Sequence, residues 1–182
     1  MAIRSVLRMG VQSLMQVSEP VEEFGTAFLE NLIQDMLETM QSLSGAGLAA
    51  PQIGVNQRVV IFGIEKNERY PDAEEVPFTI LINPTIDTLG TDIEEQWEGC
   101  LSLPELRGLV PRYQHIRYQG FDASGKAINR QVSGFHARVV QHECDHLDGI
   151  LYPQRMSDMS SFGFRPELET SGRICTQPCD DW

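Results

Sequence analysis

No stretch of this 182-residue chain approaches the roughly 20 consecutive apolar residues that span a bilayer. A membrane-spanning helix is excluded on that ground, and a soluble protein is expected. Positive charge is scarce as well: 14 Lys and Arg stand against 26 Asp and Glu, a net charge of −12 that opposes nonspecific attraction to nucleic-acid phosphates or anionic lipid. No direct nucleic-acid or membrane partner is expected, and a substrate held by its own negative charge is disfavoured. Four cysteines, at 100, 144, 175 and 179, are too sparse for a secreted disulfide scaffold and point to reduced thiols or metal ligation. The opening "MAIRSVLRMG" lacks both the apolar core of a secretory signal and the Arg/Ser-rich helix of a transit peptide, so the cytoplasm is the expected compartment. Internal repeats are absent.

What the chain does have is apolar material, 41% of residues, enough at this length for one substantial core and too little for two large ones. From Val21 to about Leu43, Phe24, Phe28, Leu32, Met36, Met40 and Leu43 recur every three or four residues and predict a core-packed helix. "GAGLAAPQIG" follows, rich in Gly and Ala, as suits backbone that makes close approaches. "RVVIFGI" and "FTILINP" read as β-branched strands separated by a polar loop over Glu65–Pro77, and "HIRYQGFDASGKAINRQVSG" as two strands around a turn at Ala123–Lys126. Helical spacing resumes in "FHARVVQHECDHL", with Gly149 as the stop. Residues 157–182 show no period and are expected to be an irregular tail behind a catalytic unit over 1–156. Helix, strands, then helix predicts a single α+β domain with antiparallel or mixed strands around that second helix.

The second helix carries "QHECDHLDG" at 141–149. Residues four apart on an α-helix differ by about 40° in direction and about 6 Å in height, so His142 and His146 can reach one metal ion. Glu143 lies beside them, placed to contact a metal-bound water without taking a coordination position, as a general base must. Cys144 points about 200° away from His142 and is expected to be a buried structural thiol. Two histidines leave a catalytic centre one protein ligand short. The position used in one metalloprotease class is Tyr152 here, which cannot serve; Glu167 or Glu169 stands at the distance used in another, but across a segment of Gly, Pro and Ser unsuited to a second ligand-bearing helix. Cys100 in "EGCLSLP" is the third candidate, a thiolate preceded by a glycine that lets backbone come close to an ion.

Three segments, "GAGLAAPQ" at 45–52, "EGCLS" at 98–102 and "HECDH" at 142–146, resemble in order and separation the signature motifs of the peptide deformylases, metal-dependent enzymes that remove the N-formyl group from newly made proteins. The resemblance runs from about Val6 to about Met156, and "GFHARVVQHECDHLDGILY" is closer to the mitochondrial-like bacterial branch than to the enteric form. It implies a bacterial, cytoplasmic enzyme acting on N-formyl-methionyl nascent peptides. It further implies one metal ion per chain held by Cys100, His142 and His146, Fe2+ in the cell, with Ni2+, Co2+ or Zn2+ as substitutes the ligand set accepts. Glu143 would be the acid/base that activates the metal-bound water. Gln52 and the backbone N–H of Leu101 would stabilise the oxyanion, and Gly45, Ala46, Gly47, Phe135 and Val139 would contact substrate. Glu98 and Arg112 would pair beneath the metal loop and orient it.

Ala46 and Phe135 depart from the residues usual beside the substrate methionine. The ending "TQPCDDW" replaces a basic helix, so a transient ribosome contact is expected to use some other surface. "GVQSL" stands where the family has an Asp-Pro-Arg-type turn. Two other classes share parts of the pattern: an endopeptidase with the same two-His helix, separated by its third ligand, and a non-catalytic metal protein, against which Glu143 and Gln52 both argue.

Overall fold

The computed structural model describes residues 2–64 and 75–174. Its centre is a five-stranded antiparallel sheet with a helix on each face. The first helix, α1 (Ala27–Ser42), is capped by Thr26, whose hydroxyl accepts the Leu29 N–H at 3.2 Å. It starts six residues later than the periodicity suggests, and its buried stripe runs through Leu29, Leu32, Met36 and Met40. Phe28 is 62% exposed and Leu43 42%, because Leu29 continues the three-four spacing once the cap sets the start.

The sheet is ordered β1 (Gly47–Ala49), β2 (Val59–Ile64), β3 (Val76–Thr88), β6 (His115–Phe121) and β7 (Ala127–Ser133). The unbroken apolar run of β2 has a simple cause. Val59 and Ile61 face α1 in one core, whereas Val60, Phe62 and Ile64 face the second helix in another, so no position is left for a polar side chain. β6 and β7 form the expected hairpin, with Asp122 accepting the amides of Ser124 and Lys126 in its turn. Of the expected loop at 65–77, residues 65–74 lie outside the described residues and Val76–Pro77 already belong to β3.

The second helix, α2 (Gly134–Leu147), is buried at every position from Ala137 to Leu147, polar residues included. Buried polar groups require partners. Gln141 supplies them at one end, exchanging hydrogen bonds with the backbone N–H and carbonyl of Tyr113 at 3.1 and 2.9 Å. Cys144 packs in the core shared with the sheet, as a structural thiol.

A second, three-stranded sheet, β4–β5–β8, lies alongside. β4 (Ile93–Cys100) and β5 (Leu103–Tyr113) form a hairpin whose pairing ends at Cys100↔Leu103, with a register shift between Glu98 and Cys100. The cysteine therefore sits at the hairpin tip. Within 157–174, part of the expected irregular tail, regular structure is present: β8 (Phe162–Phe164) pairs with Leu106–Gly108, and α3 (Arg165–Thr170) buries Leu168. Three paired residues are too few to leave a period in the sequence, and their order comes from the open edge of β5 and the packing of Phe162 against Tyr152. Cys175 and Cys179 lie outside the described residues. Among those described, no helix is long and apolar enough to cross a membrane.

Gly149 ends α2 with φ +71°, and a Cβ there would lie 2.6 Å from the backbone carbonyl of Met15. Both the left-handed conformation and the clash with main chain oppose a side chain. Gly149→Ala should lower stability by at least about 1 kcal/mol and Tm by at least about 2–4 °C, measured by thermal unfolding.

Candidate active site

Three elements meet at one cavity of about 490 Å3: the β1 edge with the 3₁₀ turn after it, the β4–β5 hairpin tip, and α2. Cys100 Sγ lies 3.3 Å from His146 Nε2, and one ligand atom from each of Cys100, His142 and His146 falls within 4.8 Å of the others. The two imidazoles stand edge to face, their centroids 5.0 Å apart. Tyr152 stacks on the far side of His142 with its ring centroid at 6.2 Å, and Glu167 is on α3. Among the described residues this is the one group of three His, Cys, Asp or Glu side chains close enough to hold an ion.

His142 is oriented from behind. Its Nδ1 bonds Glu98 Oε2 at 2.9 Å, which assigns Nε2 as the ligand atom. Glu98 is fully buried and also accepts from Arg112 Nε and NH2, at 2.9 and 3.0 Å, and from Arg138 NH1 at 2.9 Å. Arg112 continues to Asp145 at 2.5 Å, and Asp145 to the half-exposed Arg155 at 2.7 Å. Burial alone would push the Glu98 carboxyl up, but the Arg112 charge and hydrogen bonds from His142 and Arg112 outweigh it and hold the carboxyl well below the usual range. The expected Glu98–Arg112 pair is present, and its direct grip is on a histidine as well as on the hairpin.

Burial dominates the proton affinities of the groups at this site. Burial, then the charges of His142 and Arg112, push His146 well down, so its imidazole is an unprotonated donor. Burial, then Glu98, pushes Glu143 well above the usual carboxylate value. Burial raises the Cys100 thiol to about 12, against hydrogen bonds from Ser102. A cation fits this set: two imidazoles, a thiol that a cation would turn into thiolate, and a buried Glu143 Oε2 that has no hydrogen-bond partner among the described residues.

Gln52 lines the same cavity from the 3₁₀ turn. Its Oε1 accepts the Ala49 N–H at 2.8 Å, which turns Nε2 toward the hairpin tip. Leu101, at that tip, lines the cavity with its Cδ1 near Gly45. Gly45, Ala46 and Gly47 form the wall expected of them. Phe135 and Val139 do not: Val139 is fully buried in the core between α2 and the sheet, and Phe135 packs against that core. Their face of α2 covers the sheet, and they meet the site only through the core that Ala46 shares.

Several contributors had escaped the sequence reading. The N-terminal arm lines the cavity through Ile3, Val6 and Arg8, and its backbone binds both neighbouring elements, Leu7 N–H to Gln52 O and Met9 N–H to Ser102 O, each at 2.8 Å. Arg107, Ser102, Arg138 and Asp145 were also missed. Asp145, inside "HECDH", and Ser102, the last residue of "EGCLS", stood where a motif could have drawn attention to them.

A family model described as polypeptide deformylase matches residues 3–162. The chain is 61% identical over 166 residues to peptide deformylase 1 of Nitrosomonas europaea, covering 91% of this chain and 94% of that protein, and 59% identical over 166 residues to peptide deformylase 1 of Bordetella pertussis, with the same coverage. Among solved structures, it is similar to the Met-Ala-Ser-bound class I type b peptide deformylase from Acinetobacter baumannii, with a TM-score of 0.81, 36% identity and coverage of 85% of this chain and 99% of that one. The peptide deformylase from Thermotoga maritima is similar with a TM-score of 0.78, 32% identity and coverage of 87% and 100%.

A Cβ on Gly47 would lie 2.4 Å from Glu143 Oε1 and 2.7 Å from its Cγ. With Glu143 2% exposed, the carboxylate has no room to retreat in place. Gly47→Ala should leave bound metal near one per chain and the fold intact, while turnover of an N-formyl-methionyl peptide falls by about 100-fold, the loss typical of a catalytic group displaced by about 1 Å. Metal analysis and steady-state kinetics on one preparation check both halves.

Proposed function

The chain belongs to the polypeptide deformylase family, and from that premise we propose that Cys100, His142 and His146 hold one Fe2+ ion while Glu143, Gln52 and Leu101 carry the chemistry. The protein is a hydrolase that removes the N-terminal formyl group from nascent polypeptides. The observation that carries the residue assignment is the meeting of one thiol and two imidazoles within 4.8 Å beside a buried carboxylate oxygen that has no partner.

When bound, the ion supplies Lewis acidity and a water of lowered pKa near neutral pH. Glu143 Oε2 would take a proton from the attacking water and return it to the leaving amine nitrogen, so that formamide and water become formic acid and amine, which part at neutral pH as formate and an ammonium group. Its raised proton affinity, set by burial, suits a group that must hold that proton between the two transfers. Gln52 Nε2 and the Leu101 N–H donate to the formyl oxygen as negative charge develops on it. Backbone at Gly45–Gly47 receives the methionyl end, Ala46 shapes its pocket, and Phe135 and Val139 act only by supporting that wall from the core. Formylated nascent chains in the bacterial cytoplasm are the substrate. Contact with the ribosome is transient and does not use residues 176–182, which include no Lys or Arg.

Glu143→Gln should retain metal and fold and lower kcat by about 10²–10⁴-fold, the range for lost acid/base catalysis. Near-normal turnover by that variant would remove Glu143 from the mechanism. The metal assignment has its own test. Protein loaded anaerobically with Fe2+ should lose activity in air, with oxygen atoms appearing on the peptide that contains Cys100, whereas the Ni2+ form should stay active and unmodified. Activity and mass spectrometry on matched samples read the two outcomes together.

A further inference from the structure

Ser102 is fully buried, and neither the acid/base step nor the metal ligands account for its hydroxyl. That hydroxyl stands between two groups that do have roles. Gln52 Nε2 lies 3.1 Å from Ser102 Oγ and 3.5 Å from Cys100 Sγ. Because Oε1 of the same amide is engaged by the Ala49 N–H, Nε2 must be the end that faces Ser102. Ser102 stands two residues after Cys100, and its backbone and side-chain donors both pull the Cys100 thiol down against the effect of burial. One hydroxyl has one proton. It accepts from Gln52, so its own hydrogen goes to sulfur, and the order of donation is Gln52 Nε2–H to Ser102 Oγ–H to Cys100 Sγ.

We propose that Ser102 is a positioning residue for deformylation: its hydroxyl takes one Gln52 N–H, aims the other into the cavity, and holds the Cys100 sulfur by a hydrogen bond. The inference rests on Gln52 being the oxyanion donor and Cys100 a metal ligand. An amide nitrogen has two hydrogens in fixed directions, so occupying one fixes where the other points. Without the hydroxyl, the amide is drawn onto the sulfur alone and its free N–H rotates away from the formyl oxygen. The sulfur loses a donor as well, which raises the energy of its lone pairs.

Ser102→Ala removes one buried oxygen and leaves the backbone bonds from Met9 and to Cys100 in place. It should lower kcat by about 10–100-fold with little change in KM, the scale of a lost outer hydrogen bond at such a site. In the Co2+-loaded protein the thiolate-to-metal charge-transfer band should move to longer wavelength. Gln52→Ala should lower kcat by about 10²–10³-fold, and adding Ser102→Ala to it should cost clearly less than Ser102→Ala costs alone. Multiplicative losses in the double variant, or an unmoved band, would show that Ser102 acts only as structure and would overturn the inference. If Gln52→Ala is slow but Ser102→Ala is normal, the inference alone falls. Undiminished turnover by Gln52→Ala would overturn the role of Gln52 itself, and this inference with it.

Discussion

One carboxylate joins the two halves of the molecule. Glu98 leaves the second sheet from β4, two residues before Cys100, and receives His142 and Arg138 from α2 and Arg112 from β5. The hairpin tip that carries the thiol and the helix that carries the imidazoles are thereby held at one spacing. A buried ion pair is weak as a source of stability, because taking the charges out of water offsets most of their attraction. Breaking one is different, since the remaining charge is stranded, and here two arginines and a histidine would lose their shared partner.

The helix at the centre obeys the same constraint from its other side. α2 is buried all round, yet it carries Arg138, Gln141 and Asp145 as well as the metal face. Each of the three is satisfied by the second sheet or its neighbours: Arg138 by Glu98 and the carbonyls of Val110 and Glu94, Gln141 by Tyr113, Asp145 by Arg112 and Arg155. Apolar side chains meet the five-stranded sheet and polar ones pin the helix to the three-stranded sheet. Rotation about the helix axis would break both sets at once, so His142, Glu143 and His146 face the cavity by exclusion of every other orientation.

The spacing of His142 and His146 made the helix and its chemistry legible from the sequence, because four residues on an α-helix is a geometric statement. Cys100 needed its context, since a lone cysteine carries no direction. Arg138 and the arm residues carried no signal, and Ser102, though inside "EGCLS", gave no hint of its partner, because their importance comes from contacts with residues far along the chain. The strand at 162–164 was invisible for a related reason: its order belongs to the edge it pairs with. Phe135 and Val139 were placed on the substrate wall by the family pattern, and the packing of α2 on the sheet joins them to the core that Ala46 shares. Phe28 shows the limit of periodicity, where one residue of phase, fixed by the Thr26 cap, separates the buried face from water.

The arm that binds Gln52 and Ser102 through the amides of Leu7 and Met9 has a consequence for how the protein comes into being. Gln52 and Cys100 are 48 residues apart in the chain, Glu98 and His142 44, and Cys100 and His146 46. Contacts of such separation form late, after the entropy of closing long loops has been overcome. During synthesis Leu7 can meet Gln52 before the second sheet exists, but Met9 has no partner until the hairpin tip follows, and the thiol then waits for α2. Metal capture is accordingly among the last events of folding, and an enzyme that serves unfinished chains has no working site while it is itself unfinished.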